Sequence, residues 1–177
     1  LTLYRTIEHP LIEVLFSMER EGFTVDVNFL EKLGREYDER MSGFRREIYG
    51  FAGYEFNINS TKQLADVLFG KLKLPVIKKT KTGYSTDNEV LEQLKGTHEI
   101  IELIINYRQL AKLKSTYIDG LTACADENGK IHTTFNQTVT NTGRLSSTDP
   151  NLQNIPIRTE EGSQIRKAFV PGDADCM

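Results

Sequence analysis

Three groups of residues in this chain offer positive charge or hydrogen-bond donors to a polyanion. The first is a lysine loop. From Val67 to Thr86 there are five lysines (Lys71, Lys73, Lys78, Lys79, Lys81) and no acid before Asp87. Lysine ammoniums act as point charges that neutralise phosphates without reading sequence. The second is Arg108, Lys112 and Ser115, spaced i, i+4, i+7, with Thr116 bordering them. On a helix that spacing sets two cations and a hydroxyl along one face, one turn apart, in step with successive phosphates. The third is the run Thr142-Gly143-Arg144-Leu145-Ser146-Ser147-Thr148-Asp149-Pro150-Asn151-Leu152-Gln153-Asn154-Ile155-Pro156. It gathers amides, hydroxyls and one arginine between two prolines. Such donors suit the minor groove, where every base pair presents purine N3 and pyrimidine O2 in similar places and contact is largely blind to sequence.

Other chemistries find little support. His9, His98 and His132 are scattered, and none has zinc-type spacing. No glycine-rich phosphate loop occurs. Asp173 and Asp175 form a carboxylate pair, but at the C-terminus beside Gly172, where solvated acid is the commoner outcome and the several oxygen ligands of a hard cation are missing. Cys124 and Cys176 lack metal-ligand spacing and favour a reducing cytosol. No apolar run is long enough for a membrane span or a signal peptide. The net charge of −3 excludes a strongly basic DNA-coating protein, yet it is uneven. Residues 1–66 carry 8 basic and 12 acidic groups, residues 67–118 carry 9 and 5, and residues 119–177 carry 5 and 8. A local basic patch can do what the average cannot.

The elements that must position these groups follow from periodicity. At 177 residues, 38% hydrophobic and 27% charged, the chain suits one soluble domain, or one plus an appendage. Leu11, Val14, Leu15 and Met18 predict a core-facing helix that starts near Pro10 and stops at Gly22. Phe23-Thr24-Val25 reads as extended, and Asp26 or Asn28 as the next cap. Leu30, Leu33, Tyr37, Met41, Phe44 and Ile48 then mark about five turns of helix, predicted to pack antiparallel on the first. Ser60-Thr61-Lys62-Gln63 and Thr86-Asp87-Asn88-Glu89 read as capping boxes of two short helices that hold the lysine loop at a tip. Residues 99–119 read as one long helix. Lys130 to Val139 alternates, with Ile131, Phe135 and Val139 facing a core; Asn141-Thr142-Gly143 turns into a second short strand, and 146–158 is an ordered loop. The expected fold class is α+β and mostly α: long antiparallel helices, a helix-loop-helix tip and a small antiparallel β portion near 130–147.

The string TGRLSSTDPNLQNIP resembles the signature that precedes the first catalytic motif of bacterial family A DNA polymerases, the DNA polymerase I group. EFNINSTKQLADVLFGKLKLP with KKTKTGYST resembles their thumb tip. YRQLAKLKSTYIDGL resembles the helix joining thumb to palm, IHTTFNQTVTNTGRLSS the first palm strands, and IRTEEGSQIRKAFVP the continuation. The resemblance implies that 1–26 leads into the thumb, that 27–120 is the thumb with its basic tip at 71–83, and that 121–177 is a partial palm. It implies duplex or primer–template DNA as partner, together with the remainder of a polymerase. Lys78, Lys79 and Lys81 would track the duplex backbone. Arg108, Lys112, Ser115 and Thr116 would lie along primer–template phosphates. Arg144 would reach the minor groove at the primer terminus, Asn151, Gln153 and Asn154 would sit near the terminal base pairs, and Arg158 would border the active site. Gln137 and Thr142 belong to the same implied DNA-binding set.

In that family the next segment carries an Asp-Tyr-Ser motif whose aspartate binds the catalytic magnesium ions. This sequence reaches Asp175-Cys176-Met177 without it, and the fingers and second palm carboxylate motif are not matched. The expectation is therefore a portion of a polymerase, ending before its first metal-binding aspartate, without catalytic residues, metal or bound cofactor of its own and inert in nucleotidyl transfer alone. Mg2+ is implied for the parent enzyme only. No small-molecule site and no membrane contact are expected, and the implied location is the bacterial cytoplasm, on nucleoid DNA. Two alternatives come from other classes. A stand-alone, sequence-independent DNA-binding module differs in what its gene encodes after Met177. A helical protein-interaction domain, whose basic loop meets an acidic partner, differs in that duplex DNA would not compete.

Overall fold

The computed structural model describes residues 1–81, 83–157 and 159–172. These residues are mostly helical, with three two-stranded antiparallel sheets among them. They form two units: Leu1–Gly34 together with the chain from Leu113 onward, and Arg35–Lys112.

The Arg35–Lys112 unit owes its core to the apolar stripes. Helix α2 (Val27–Ala52) supplies Ile48 and Ala52, both fully buried. Leu64, Val67 and Leu68 come from α3 (Thr61–Ala65) and the π-helical turn Asp66–Lys71 that extends it. Val90, Leu91 and Leu94 come from α4 (Asn88–Gln93) and its end, and Ile100, Ile101 and Ile104 from α5 (Glu99–Leu113). Burial of these side chains supplies most of the driving force, each large one contributing about 1.5–3 kcal/mol. The loop between α3 and α4 is not all coil. Strands β2 (Lys79–Thr80) and β3 (Gly83–Tyr84) pair antiparallel within it, Lys79 opposite Tyr84 and Thr80 opposite Gly83.

In the other unit, α1 (His9–Glu21) follows a π-helical turn, Tyr4–Glu8, and carries Pro10 in its first turn. Gly22 ends it at φ 72°, a conformation that favours glycine. The predicted core stripe of α1 is corrected here. Only Leu15 is buried, whereas Val14 and Met18 are exposed. The helix is held instead by polar contacts: Glu19 Oε1 accepts from the Phe135 amide at 2.6 Å, His132 Nδ1 meets the Glu19 carbonyl at 2.7 Å, and Lys130 Nζ pairs with Glu21. Periodicity cannot distinguish a packed stripe from an uncovered one.

β1 (Phe23–Thr24) pairs with β4 (Lys130–Ile131), more than a hundred residues away in sequence, and its other edge is covered by 168–170: the Asp26 amide donates to the Ala168 carbonyl at 2.7 Å and the Val170 amide to the Thr24 carbonyl at 3.1 Å. Asp26, not Asn28, caps α2, its Oδ1 accepting from the Phe29 amide at 2.9 Å. The predicted long helix at 99–119 continues through a π-helical turn, Lys114–Asp119, into α6 (Gly120–Cys124). β5 (Thr134–Asn136) pairs with β6 (Ser146–Thr148). Val139, expected to face a core, is 66% exposed, because the strand ends at Asn136. α7 (Glu160–Arg166) begins at Thr159, whose hydroxyl accepts from the Gly162 amide.

Candidate nucleic-acid interface

The tip of the Arg35–Lys112 unit is built around two caps. Ser60 Oγ accepts from the Gln63 amide at 3.4 Å, as a capping box requires. The reciprocal bond is displaced, since Gln63 Oε1 accepts from the Asn57 amide at 2.7 Å. At the second helix the cap is Asp87, one residue after the expected Thr86. Its Oδ1 accepts from the Val90 amide at 3.0 Å, and Oδ2 accepts from the Ser85 hydroxyl at 2.8 Å. Those bonds, first the Val90 amide, then Ser85 and the Lys78 ammonium, hold the Asp87 carboxyl down at about 2.

The five lysines of the loop separate into kinds. Lys71 turns inward: its ammonium donates to the Ala52 carbonyl at the end of α2 and sits 5.0 Å above the Tyr54 ring. Lys78 lies 3.2 Å from Asp87 Oδ2 and 3.9 Å from Glu89 Oε2. Lys79 and Lys81 are exposed on the β2–β3 hairpin. The Ser85 amide donates to the Lys78 carbonyl at 3.0 Å, and the Thr80 hydroxyl to the Gly83 carbonyl at 3.0 Å, which closes the hairpin. Tyr84 packs edge-on to Phe69 at 5.4 Å and ties it to the core.

Arg108, expected to share one cationic face with Lys112 and Ser115, turns inward instead. It is half-buried, Nη1 donating to the Thr86 carbonyl at 2.5 Å. Burial pushes its guanidinium pKa down from the ordinary value. Lys112 is exposed on α5; Ser115 and Thr116 are exposed on the π-helical turn that follows, and belong to the other unit. A groove of about 780 Å³ beside the hairpin has Asn59, Thr61, Lys62, Ser85 and Arg108 on its walls. Asn59, Thr61 and Lys62 were not among the sequence candidates; Thr61 and Lys62 read there only as part of the capping box that starts at Ser60.

The amide-rich loop lies in the other unit and is held from beneath by buried hydroxyls. Thr133 Oγ1 contacts the Thr148 and Pro150 carbonyls at 3.0 and 2.8 Å, and Ser147 Oγ accepts from the Leu152 amide at 3.1 Å. Asn151 Oδ1 accepts from the Gln153 amide at 3.0 Å, an Asx turn that fixes the loop. Tyr117 donates to the Asn154 carbonyl, and Ile155 is buried. The side chains of Thr142, Arg144, Gln153 and Asn154 remain exposed. Gln137 Nε2 donates to the Glu8 carbonyl and carboxylate at 3.0 and 2.8 Å, so its donor faces α1's entry. Arg158, Asp173 and Asp175 lie outside the described residues.

Among the described residues no three His, Cys, Asp or Glu side chains come together to hold a metal ion. Among the same residues no helix is long and apolar enough to cross a membrane.

A hairpin of exposed lysines lies in one unit and a donor-rich loop in the other, and comparison with known proteins says to which family the chain belongs. The model of DNA polymerase family A matches residues 27–177. DNA polymerase I of Geobacillus stearothermophilus is 58% identical over 99% of this chain, which covers 20% of that relative's length. The thermostable DNA polymerase I of Thermus filiformis is 52% identical over 96% of the chain, which covers 21% of its length. The solved polymerase domain of Pol1 from M. smegmatis, in complex with DNA primer–template and dNTP, superposes with a TM-score of 0.86 at 46% identity, covering 96% of this chain and 30% of that one. The chain belongs to DNA polymerase family A. It spans about a fifth of the length of the curated relatives it matches.

Proposed function

We propose that this chain is the DNA-gripping part of a family A DNA polymerase, holding duplex product while the whole enzyme extends a primer along a template. The observation that carries the reading is the β2–β3 hairpin, which displays Lys79 and Lys81 on a tip braced by Asp87, Ser85 and Tyr84. Fixed cations release condensed counterions when they meet phosphates, and this favours duplex of any sequence. Lys112, Ser115 and Thr116 add phosphate contacts. Arg144, Thr142, Asn151, Gln153 and Asn154 offer donors to minor-groove acceptors common to all base pairs, and Arg158 and Gln137 remain assigned by family position. Replication and repair synthesis, with Mg2+ and dNTP, would be work of the whole enzyme in the bacterial cytoplasm. The test is a labelled primer–template titrated with the protein across a salt series. Affinity should fall linearly in log–log form with salt and vary little between unrelated sequences. Binding that ignores salt, or its absence at low salt, refutes the reading. Failure of duplex DNA to compete with an acidic protein would favour a protein-interaction domain instead.

A further inference from the structure

Arg108 is a cation whose donors point into the protein. Nη1 donates to the Thr86 carbonyl at 2.5 Å, and Nη2 lies 3.5 Å from both the Thr86 hydroxyl and the Ile58 carbonyl. The acceptors are all neutral. They sit on segments 22 and 50 residues away in sequence, so the guanidinium is a cross-link between α5, the entry to α3 and the entry to α4. A half-buried charge persists there because its fork is hydrogen-bonded, and only a planar fork reaches two carbonyls at once.

Thr86 is the residue on which the hairpin hangs. Its neighbour Ser85 closes the hairpin through the Lys78 carbonyl at 3.0 Å. Its other neighbour, Asp87, pairs with Lys78 at 3.2 Å and caps α4. Fixing Thr86 therefore fixes both ends of the segment that displays Lys79 and Lys81. We propose that Arg108 is a positioning residue: its guanidinium anchors the base of the β2–β3 hairpin to α5 and so aims Lys79 and Lys81 at the duplex backbone, rather than contacting phosphate itself. This rests on the duplex-binding reading above.

The experiment compares Arg108→Ala and Arg108→Lys in the unsubstituted protein and in a Lys79→Ala/Lys81→Ala background. It measures primer–template affinity across salt, cooperative melting, and hydrogen exchange of the Ser85 amide. Positioning predicts that Arg108→Ala weakens binding about fivefold in the unsubstituted protein and hardly at all once both lysines are gone, since residues in one network are not additive. It also predicts faster Ser85 exchange. Arg108→Lys keeps the charge but not the fork, so it should behave like the alanine variant. An equal loss in both backgrounds, with a lysine that rescues it, means a direct phosphate contact and overturns the proposal. So does unchanged affinity in a variant that still melts cooperatively. If the alanine variant does not fold, Arg108→Lys alone decides, by the same two criteria. If the unsubstituted protein shows no salt-dependent duplex binding, the functional reading fails instead. Ser85 exchange then tests the anchor by itself, and unchanged exchange in a folded Arg108 variant refutes it.

Discussion

Lys78, Lys79 and Lys81 carry the same formal charge, but the structure makes them unequal. Lys78 already has two carboxylates within reach, Asp87 at 3.2 Å and Glu89 at 3.9 Å. Lys79 and Lys81 stand exposed on the hairpin without such a pair among the described residues. Each unpaired lysine that meets a phosphate should steepen the dependence of log affinity on log salt by ~0.9. Replacing Lys79 and Lys81 by alanine should therefore flatten the slope by ~1.8, which over a rise from ~50 to ~200 mM salt is about a twelvefold difference in affinity. Lys78→Ala should change the slope by less than ~0.9, because Asp87 and Glu89 compete with a phosphate for that ammonium. It should instead lower the melting temperature, since it removes a partner from the Asp87 cap. The assay is fluorescence anisotropy of a labelled primer–template across that salt range, beside thermal melts of each variant. Equal slope changes for the three single alanine variants would refute the reasoning, as would an unchanged slope in the double variant.

The remaining predictions concern the supports of the tip and of α1. The folded-state pKa of Asp87 lies at about 2, below the ordinary 3.8, so the cap stabilises the fold above the ordinary value and that contribution disappears as pH falls from 3.8 towards 2. Asp87→Asn should melt earlier than the unsubstituted protein at neutral pH, and the gap should close as pH approaches 2; a gap that stays constant on acidification would contradict the assignment. Gly22→Ala places a side chain at φ 72°, with its Cβ 2.8 Å from His132 Cε1 and 3.1 Å from the Ile131 carbonyl oxygen. That backbone conformation, φ 72° with ψ −179°, is essentially confined to glycine and costs another residue about 1–3 kcal/mol, and the contact with β4 adds to it. Urea denaturation should show the loss, and an unchanged midpoint would mean that the α1–β1 junction is not held as described.

Much of the fold was legible because its signals are local. Gly22 stops α1, Asp26 and Ser60 cap the helices after them, and the stripe from Leu30 to Ile48 faces inward at the ends that count, with Leu30, Leu33, Tyr37 and Ile48 all buried. The misses share a cause. The β1–β4 pairing joins residues over a hundred positions apart, and no local pattern encodes a partner at that distance. Val14 and Met18 have a core spacing without a core to meet. The short β2–β3 hairpin sits in a run of lysines and carries no strand alternation to announce it.

The sequence alone pointed to the family, through a fifteen-residue run of amides, hydroxyls and one arginine between prolines, and it determined that positive charge gathers in the middle of the chain. Charge counts and residue spacing survive without coordinates. Which cations are available does not. Lys71 closes the end of α2, Lys78 pairs with the cap of α4, and Arg108 holds the Thr86 carbonyl, while Lys79 and Lys81 stay exposed. Only the tertiary structure decides this, because whether a lysine or arginine faces solvent depends on carbonyls and carboxylates brought beside it from distant parts of the chain.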